Sequence, residues 1–374
     1  MAGIYIHIPF CKQACHYCDF HFSTNLSRSE DMVQMINKEL SLRKDYLQGN
    51  TQIKTIYFGG GTPSLLSDSQ LDSILNTIHR NYNLAIEELT IETNPDDLSQ
   101  KKLKSLKRLG FDRLSIGIQS FQEDILKFYN RAHQASESLL AISLAKDAGF
   151  SKLSIDLIYG FPNPDHRKWE QDLAIAIAQD PGHISSYCLT IEPKTALGNW
   201  AEKGKFQPAS EDFGAEQFEI LQAVMQTSGY IQYEISNFGK EGHFAKHNTN
   251  YWRGIPYLGI GPSAHSFDGN KRGANISNNN KYIESLKADK LSFEVDHLTP
   301  EDLVNEYILT SLRTIWGTDL HYLLQTYQID LLQDKSYMIQ KLNEEKLLEI
   351  DYTSLKLTTK GKLLADSIAS ALFI

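Results

Sequence analysis

The stretch "IYIHIPFCKQACHYCDFHF" (residues 4–22) joins a predicted strand directly to a loop that holds three of the chain's four cysteines. In residues 4–9, isoleucines alternate with Tyr5 and His7, which is the period of two that a β-strand requires. The cysteines have the spacing C-x3-C-x2-C: Cys11, Cys15 and Cys18. Barrel enzymes place their sites at the carboxyl ends of such strands, so this stretch predicts both a fold and a site.

Further β-like runs alternate with helical segments through the first part of the chain. They cover residues 53–60, 89–95, 113–120, 152–162, 183–192 and 231–238. A typical helix is predicted over 99–109, with Ser99 as its N-cap and Gly110 as its stop. Repeated βα units imply a parallel sheet covered by helices. We therefore predict an α/β fold with an incomplete (β/α)6-type barrel over residues 1–240, and a doubly wound sheet is the alternative.

The alternation within these strands predicts which side chains share the barrel interior. Isoleucines and leucines take one phase and polar residues take the other. If the apolar phase packs on the helices, the polar phase points into one common interior. Its members are Tyr5, His7, Glu92, Gln119 and Asp156. Each could be a satisfied interior hydrogen-bonding group, but five that converge favour a functional site.

The remainder of the chain has a different character. Residues 241–298 are rich in Gly, Asn and aromatic residues, and we predict a loop-rich connecting region. In residues 299–374 helical patterns return, and the end resembles a helix, two short strands and a helix. This predicts a smaller, mostly α, winged-helix-like C-terminal domain. Because acidic residues outnumber basic ones there, we interpret it as a structural or partner-docking domain.

The composition excludes some classes of function. The net charge is −9, from 37 Lys and Arg against 46 Asp and Glu, and no basic stripe is evident, so we expect no nucleic-acid partner. No run of about 18 apolar residues and no signal peptide are found, so we expect no transmembrane segment and a cytoplasmic location. Cytoplasmic thiols stay reduced, and clustered cysteines there are metal ligands more often than disulfides.

Three thiolates on one loop suit some metal groups better than others. A structural zinc site would need a fourth ligand, which His16 or His21 could supply, but zinc knuckles usually split their ligands into two pairs. A four-iron cluster held by three thiolates leaves one iron open for an exogenous ligand. Open coordination is what a reaction needs, so the spacing favours a cluster over zinc.

The cysteine loop resembles that of the radical S-adenosylmethionine (SAM) superfamily. More narrowly, it is similar to the group that contains the oxygen-independent coproporphyrinogen III oxidase (HemN) and the heme chaperone HemW. The resemblance implies a 4Fe-4S cluster on the three cysteines, SAM chelating the open iron, and a reductant for the cluster. In the superfamily, reductive cleavage of SAM gives a 5′-deoxyadenosyl radical. The hard chemistry belongs to the cofactors, and the protein supplies ligation, orientation and exclusion of water.

Other motifs match the superfamily's SAM contacts. "FGGGTPSLL" (58–66) lacks the Lys-Ser/Thr of a P-loop, and in the family this motif lines the amino end of SAM. The resemblance implies that the SAM-binding residues are Tyr5, Tyr17, Gly60, Gly61, Thr62, Glu92, Gln119, Arg131 and Asp156. Four of these also belong to the interior set that the alternation predicts.

A final motif points to heme. "HNTNYW" (247–252) fits the H-N-x-x-Y-W motif of the heme chaperone group. The resemblance implies that heme is bound here by His247, Asn248, Tyr251 and Trp252. His247 is the candidate axial ligand, and Tyr251 and Trp252 offer flat apolar surfaces. His243 and His265 are alternative ligands.

Two departures separate this chain from the oxidase. The oxidase pattern is C-x3-C-x2-C-x-C, and Phe20 stands at the fourth cysteine position here. The first strand begins at residue 4, without the extension that takes part in the oxidase substrate site. We therefore predict a heme chaperone that delivers heme to apoproteins, with oxidative decarboxylation of coproporphyrinogen III as the alternative. Cys188 is predicted to be buried and inert.

Overall fold

The computed structural model describes residues 1–47 and 51–374. The strands are β1 (Ala2–Ile8), β2 (Ile53–Gly60), β3 (Leu84–Thr93), β4 (Arg113–Gln119), β5 (Lys152–Tyr159), β6 (Gly182–Cys188), β7 (Ile231–Glu234), β8 (Asn237–Gly239), β9 (Tyr257–Ile260), β10 (His265–Phe267), β11 (Lys271–Asn275), β12 (Phe293–His297), β13 (Thr318–Asp319), β14 (Leu348–Ile350) and β15 (Ser354–Leu357). The helices are α1 (Ser29–Leu42), α2 (Asp68–Asn81), α3 (Gln100–Arg108), α4 (Glu123–Phe128), α5 (Ala135–Asp147), α6 (Arg167–Gln179), α7 (Ala196–Glu202), α8 (Glu211–Thr227), α9 (Lys246–Trp252), α10 (Asn279–Lys287), α11 (Pro300–Leu312), α12 (Leu320–Tyr327), α13 (Leu331–Asp334), α14 (Ser336–Glu344) and α15 (Ala365–Ala371).

One large sheet organises the molecule. Over the described residues it has 12 strands in the order β12-β11-β10-β9-β1-β2-β3-β4-β5-β6-β8-β7. Strands β1 to β6 are parallel neighbours, as crossover helices require. The sheet stays open, because antiparallel β8 pairs with β6 at one end and parallel β9 pairs with β1 at the other. The predicted α/β fold with an incomplete (β/α)6-type barrel is confirmed.

The apolar phase of the strands packs against the helices as predicted. Ile4, Ile6 and Ile8 of β1 are fully buried, and so are the corresponding apolar residues of β4. These residues share one hydrophobic core with the inner faces of α1, α2, α3 and α5. At α3 the predicted start is also confirmed, because the Ser99 side chain accepts a hydrogen bond from the backbone N–H of Lys102. Gly110 follows with φ +95°, which a residue with a Cβ rarely adopts.

Several strand boundaries differ from the sequence expectation. Strands β5 and β6 end at Tyr159 and Cys188, before the predicted ends at residues 162 and 192. The predicted strand 89–95 spans Leu84–Thr93 in the structure, and its longer start includes Glu88, whose carboxylate is buried and paired with Arg113. The predicted strand 231–238 divides into β7 and β8, which pair antiparallel with each other. Short polar runs of this kind carry a weak periodic signal, and tertiary contacts decide their structure.

Residues 241–298, predicted to be loop-rich, contain α9, α10 and β9 to β12, and these strands extend the barrel sheet. A buried ion pair between Glu39 of α1 and Arg43, the C-cap residue of that helix, fixes the extension. Glu39 accepts hydrogen bonds from the Tyr282 hydroxyl at 2.6 Å and from Asn275 Nδ2 at 2.8 Å. The domain boundaries at residues 240 and 298 stay predictions.

The C-terminal part has its own hydrophobic core and a small sheet in the order β13-β15-β14. Helices α11, α14 and α15 contribute to that core, which matches the predicted mostly α, winged-helix-like domain. Arg313 joins the two parts, since it binds the buried carboxylate of Glu234 on β7 and the exposed one of Asp366 on α15. Among the described residues, no helix has the length and apolarity that crossing a bilayer demands.

Candidate functional site

The loop that carries the cysteines is fixed at its base and along its length. The backbone of Ser23 donates to the Pro9 carbonyl at 2.8 Å and accepts from the Cys11 N–H at 3.1 Å, which closes the loop after β1. His16 is held at the far side, where its N–H donates to the Tyr129 carbonyl at 3.0 Å. The loop is therefore ordered by the barrel around it.

A cavity of about 440 Å³ opens at the carboxyl ends of the parallel strands, and we call it the barrel cavity. It brings together residues that are far apart in sequence, and most of the predicted set is among them. Of the predicted residues, those that line it are Cys11, Cys15, Cys18, Tyr17, Gly60, Gly61, Thr62, Glu92, Gln119, Arg131, Asp156 and Asn248. Its volume lies within the range of small-molecule sites, about 300–1,000 Å³.

Glu92 is the most strongly held carboxylate of the barrel cavity. It accepts hydrogen bonds from the Tyr57 hydroxyl at 2.8 Å and from the Gly60 N–H at 3.0 Å. Burial, with a smaller contribution from the nearby Asp156, raises the pKa of Glu92 to about 7. A carboxylate so poised between ionised and neutral can receive a cationic ligand group.

Asp156 is the second acidic group in the cavity. Burial raises its pKa to about 6, and the Ser115 hydroxyl lies 3.3 Å from its carboxylate. Next to it, Gln119 ends β4 with φ +70°, a left-handed conformation that a non-glycine residue adopts only when its surroundings enforce it. The backbone of β4 and β5 therefore sets the positions of Gln119 and Asp156 in the cavity.

Arg131 is the positive group of the cavity. Its guanidinium donates to Asn94 Oδ1 at 2.6 Å and to the Gly117 carbonyl at 2.7 Å, and it lies 3.3 Å from Cys15 Sγ. Its Nε is buried without a hydrogen-bond partner among the described residues. A cation placed in this way favours anionic groups in the cavity, such as thiolates or a ligand carboxylate.

The glycine run and Thr62 explain how the loop approaches the sheet. A Cβ on Gly61 would lie 2.7 Å from the carbonyl oxygens of Ile8 and Phe10, so only glycine fits there. Thr62 is buried and its Oγ1 lies 3.6 Å from Cys11 Sγ. This run therefore docks the cysteine loop onto the second strand.

The thiols and their surroundings fit a multi-iron group. Burial raises the pKa of Cys11 to about 11 and that of Cys18 to about 12. Within residues 1–47 and 51–374, no three His, Cys, Asp or Glu side chains are placed to share one metal ion. A cluster needs each thiolate on a different iron, and it would also place negative charge beside the guanidinium of Arg131, whose Nη1 lies 3.3 Å from Cys15 Sγ.

His247, the predicted axial ligand, lines neither the barrel cavity nor the larger second cavity of the structure. It is buried in α9, and burial lowers its pKa to about 3. Its Nδ1 lies 2.8 Å from the Thr55 hydroxyl and its Nε2 lies 2.8 Å from the Tyr251 hydroxyl. The ring also stacks on Tyr57 with 5.1 Å between the ring centres. In this conformation His247 positions Tyr251.

A second cavity of about 1120 Å³ lies between the sheet extension and the C-terminal domain, and we call it the interdomain cavity. Its walls are rich in aromatic and histidine side chains. They include Tyr5, His7, His21, Tyr251, Trp252, Tyr257, His265, Phe267, Tyr307, Trp316 and Tyr322. Asp19 and Phe20, at the end of the cysteine loop, line both cavities.

Comparison with known proteins identifies the family. Residues 5–175 match the radical SAM superfamily, and residues 298–364 match the HemN C-terminal domain. The chain is 34% identical over 374 residues to the heme chaperone HemW of Bacillus subtilis (strain 168), covering 99% of each chain. The chain belongs to the radical SAM superfamily, in the family of HemW.

Further similarities agree with this membership. The heme chaperone HemW of Escherichia coli (strain K12) is 38% identical over 268 residues, which is 70% of this chain and 69% of that protein. The solved structure of coproporphyrinogen III oxidase (HemN) from Escherichia coli, a radical SAM enzyme, matches with a TM-score of 0.86 at 21% identity, over 100% of this chain and 90% of that one. At this identity the solved structure supports the fold alone. The radical SAM family implies a 4Fe-4S cluster and SAM.

The alternative histidines of this radical SAM protein lie in different places. The carbonyl of His243 accepts a hydrogen bond from Arg113 at 2.7 Å, and its ring packs against Gly182 away from both cavities. His265 is exposed and lines the interdomain cavity. The zinc alternative is not supported, because within residues 1–47 and 51–374 neither His16 nor His21 is placed to share one metal ion with two of the cysteines. His16 Nδ1 lies 2.6 Å from the Phe128 carbonyl, and His21 lines the interdomain cavity.

Cys188 corrects one expectation. It ends β6 as a strand residue, but it is exposed and lines the barrel cavity instead of being buried. The reason is its position at the carboxyl end of the strand, where the sheet opens into the cavity. Burial of part of the side chain still raises the pKa of this thiol, so it is a poor nucleophile at neutral pH.

Sequence reasoning missed three residues that shape the barrel cavity. Tyr57 holds Glu92, Asn94 holds both Arg131 and Thr62, and Ser115 contacts Asp156. The period of two over residues 53–60 places Tyr57 on the interior face, so the same alternation could have found it. Asn94 lies beyond the end of its strand, where periodicity gives no signal.

Proposed function

We propose that this protein is a cytoplasmic heme chaperone on a radical SAM scaffold, which binds heme and delivers it to apoproteins. One observation carries the proposal, namely that a large aromatic cavity adjoins the cysteine-lined barrel cavity. The relatives named heme chaperones support it. The expected partners are apoproteins that receive the heme and, separately, a reductant for the cluster.

The barrel cavity is the proposed site of the cofactors. Cys11, Cys15 and Cys18 would hold a 4Fe-4S cluster, and SAM would be held by the predicted residues of the same lining: Tyr17, Gly60, Gly61, Thr62, Glu92, Gln119, Arg131 and Asp156. Tyr5, the other predicted SAM contact, lines the interdomain cavity instead. When bound, the pair supplies one-electron chemistry. This chain contributes the orientation of the ligands, since Glu92 can accept from the SAM amine and Arg131 places positive charge beside Cys15. Tyr17, at 3.3 Å from Arg131, would shield the site from water.

The interdomain cavity is the proposed site of heme. Its volume of about 1120 Å³ accommodates a planar tetrapyrrole, and its walls supply aromatic faces for the macrocycle. Tyr251 and Trp252 of the HNxxYW motif belong to these walls, whereas Asn248 faces the barrel cavity. Ligation by His247 stays a prediction, and it requires one ring nitrogen to give up its hydrogen bond, Nδ1 to Thr55 or Nε2 to Tyr251.

A heme titration followed by absorbance tests the proposal. We expect saturable binding of one heme per chain, which persists after anaerobic reconstitution of the cluster. Transfer of that heme to an apoprotein should follow on mixing. Unchanged stoichiometry and affinity in His247→Ala would remove this residue from the site. His297→Ala is the matched control, because His297 is an exposed histidine of β12 outside both cavities.

Anaerobic turnover distinguishes the chaperone from an oxidase. The protein with reconstituted cluster is supplied with SAM, a reductant and coproporphyrinogen III, and the products are analysed. We expect no protoporphyrinogen IX, because exposed Phe20 stands where the oxidase pattern has a fourth cysteine. Stoichiometric formation of protoporphyrinogen IX would overturn the chaperone proposal in favour of the enzyme.

A further inference from the structure

The histidines of the interdomain cavity differ in what their ring nitrogens already bind. His7 Nδ1 lies 3.2 Å from the Tyr5 hydroxyl, and its Nε2 lies 2.9 Å from the His21 carbonyl. The Nε2 of His21 lies 2.8 Å from Asn279 Oδ1. In residues 1–47 and 51–374, no hydrogen bond engages either ring nitrogen of His265. His265 is therefore the histidine of this cavity whose two ring nitrogens are both free of hydrogen bonds to the described residues, so either tautomer can offer its lone pair to a metal.

The backbone that carries His265 is rigid even though its ring is exposed. His265 begins β10 and pairs with Ala274 of β11. The following residue, Ser266, is fully buried; its hydroxyl accepts from the Gly259 N–H at 2.9 Å and from Arg43 Nη2 at 3.1 Å. A ligand side chain on a fixed strand loses little conformational entropy when it binds iron.

The opposite parts of the cavity offer the contacts that the rest of a heme needs. Trp316, Tyr257 and Trp252 present aromatic faces from the C-terminal domain and the sheet extension. Arg253 stacks on Trp316 at 4.1 Å from the ring centre. No carboxylate pairs with Arg253 among the described residues, whereas Arg272 is already bound to Glu306. An unpaired guanidinium at the cavity rim suits a propionate.

We propose that His265 is the axial ligand of the heme iron in the interdomain cavity and that Arg253 binds a heme propionate. The assignment rests on the proposed function, because it takes heme as the cargo. It assigns the iron ligand to the sheet extension and leaves His247 as the residue that holds Tyr251 in the cavity wall. Heme would then contact both the barrel and the C-terminal domain.

Substitution of His265 tests the ligand. Heme is titrated into the full chain, wild type and His265→Ala, and the absorbance and electron paramagnetic resonance spectra of the bound ferric heme are recorded. We expect the affinity to fall by more than about tenfold, since loss of a group that merely supports a metal ligand already costs about 10–100-fold. The spectrum should lose its histidine-ligated signature. Because the ring is exposed, the fold should survive.

Chemical rescue separates ligation from a structural effect. In His265→Gly, millimolar imidazole should restore the wild-type spectrum of the protein-bound heme, because the free base can occupy the vacated position on the iron. His297→Ala, the control, should bind heme as wild type does. A His265→Ala protein with unchanged spectrum and affinity would overturn the assignment and leave the proposed function standing. Loss of binding in His247→Ala alone would move the ligand to His247.

Arg253 gives a second, smaller measurement. Arg253→Ala should weaken heme binding by about two- to fivefold, the range of an exposed ion pair, without changing the spectrum. Arg253→Lys should recover part of the loss because the charge remains. If Arg253→Ala binds heme as tightly as wild type, the propionate contact is wrong. If wild-type protein binds no stoichiometric heme, the proposed function itself fails.

Discussion

The two cavities meet at the end of the cysteine loop, yet they are built in opposite ways. Most walls of the barrel cavity come from the carboxyl ends of consecutive parallel strands, and its carboxylates Glu92 and Asp156 and the Nη2 group of Arg131 are hydrogen-bonded to neighbouring residues. The interdomain cavity draws on the first strand, the sheet extension and the C-terminal domain, and it keeps an unpaired histidine and an unpaired arginine in the described structure. The first arrangement suits resident cofactors, and the second suits a cargo that arrives and leaves.

Removal of one cluster ligand should have the largest effect, and that effect should be limited to the barrel cavity. Cys18→Ala should abolish incorporation of the iron-sulfur cluster, since Cys18 is one of only three thiolates on its loop. Iron and acid-labile sulfide are measured after anaerobic reconstitution, and heme binding is measured in parallel. Cys188→Ala is the control, because Cys188 lines the same cavity outside the motif. Full cluster content in Cys18→Ala would contradict the assignment.

The anchor of α9, the helix that carries the HNxxYW motif, should be the next most sensitive part. The buried carboxylate of Glu88 binds Arg113 at 2.9 Å and accepts from the N–H groups of Lys246 and His247 at the start of α9. Glu88→Ala should destabilise the protein by about 3–5 kcal/mol, because it leaves Arg113 buried and unpaired. Guanidinium unfolding measures the loss, and hydrogen exchange should locate it at α9. Glu87→Ala, an exposed neighbour, should cost less than about 1 kcal/mol.

The pH dependence of stability should report on Glu92, the buried carboxylate of the barrel cavity. Burial raises the pKa of Glu92 from 4.5 to about 7, so ionisation in the folded protein is penalised. The penalty is absent below pH 4.5, grows as pH rises and is complete above pH 7. Glu92→Gln should therefore stabilise the iron-free protein by about 2–3 kcal/mol at pH 8 and much less at pH 5. Thermal unfolding at both pH values measures this, and equal shifts would contradict it.

Phe20, one of the two residues that line both cavities, should give the smallest effect. Phe20 is 73% exposed, so Phe20→Ala should change the free energy of unfolding by less than about 0.5 kcal/mol. Heme affinity should fall by about fivefold, because an aromatic contact is worth about 0.5–1.5 kcal/mol. Parallel titrations with heme and SAM compare the cavities. A larger loss of SAM affinity would assign Phe20 to the barrel cavity instead.

The barrel cavity could be predicted from the sequence because its signals are local. A period of two places Glu92, Gln119 and Asp156 on interior faces, and the cysteine spacing needs no tertiary information. The interdomain cavity could not be predicted, since it forms where Tyr5, Tyr257 and Tyr307 meet. His247 shows the same limit, because its partner Thr55 lies on a distant strand and no local pattern reveals that contact.

The position of β1 within the sheet has a consequence for how the chain folds. Residues 3–6 pair in parallel with β9 on one side, and residues 2–8 pair with β2 on the other. During synthesis, β2 is available early, but β9 emerges only after the whole barrel has been made. Until then the growing chain has an unpaired strand edge beside the cysteine loop, which is a surface prone to aggregation. Pairing of β9 with β1 therefore removes this exposed strand edge from the amino-terminal half of the protein.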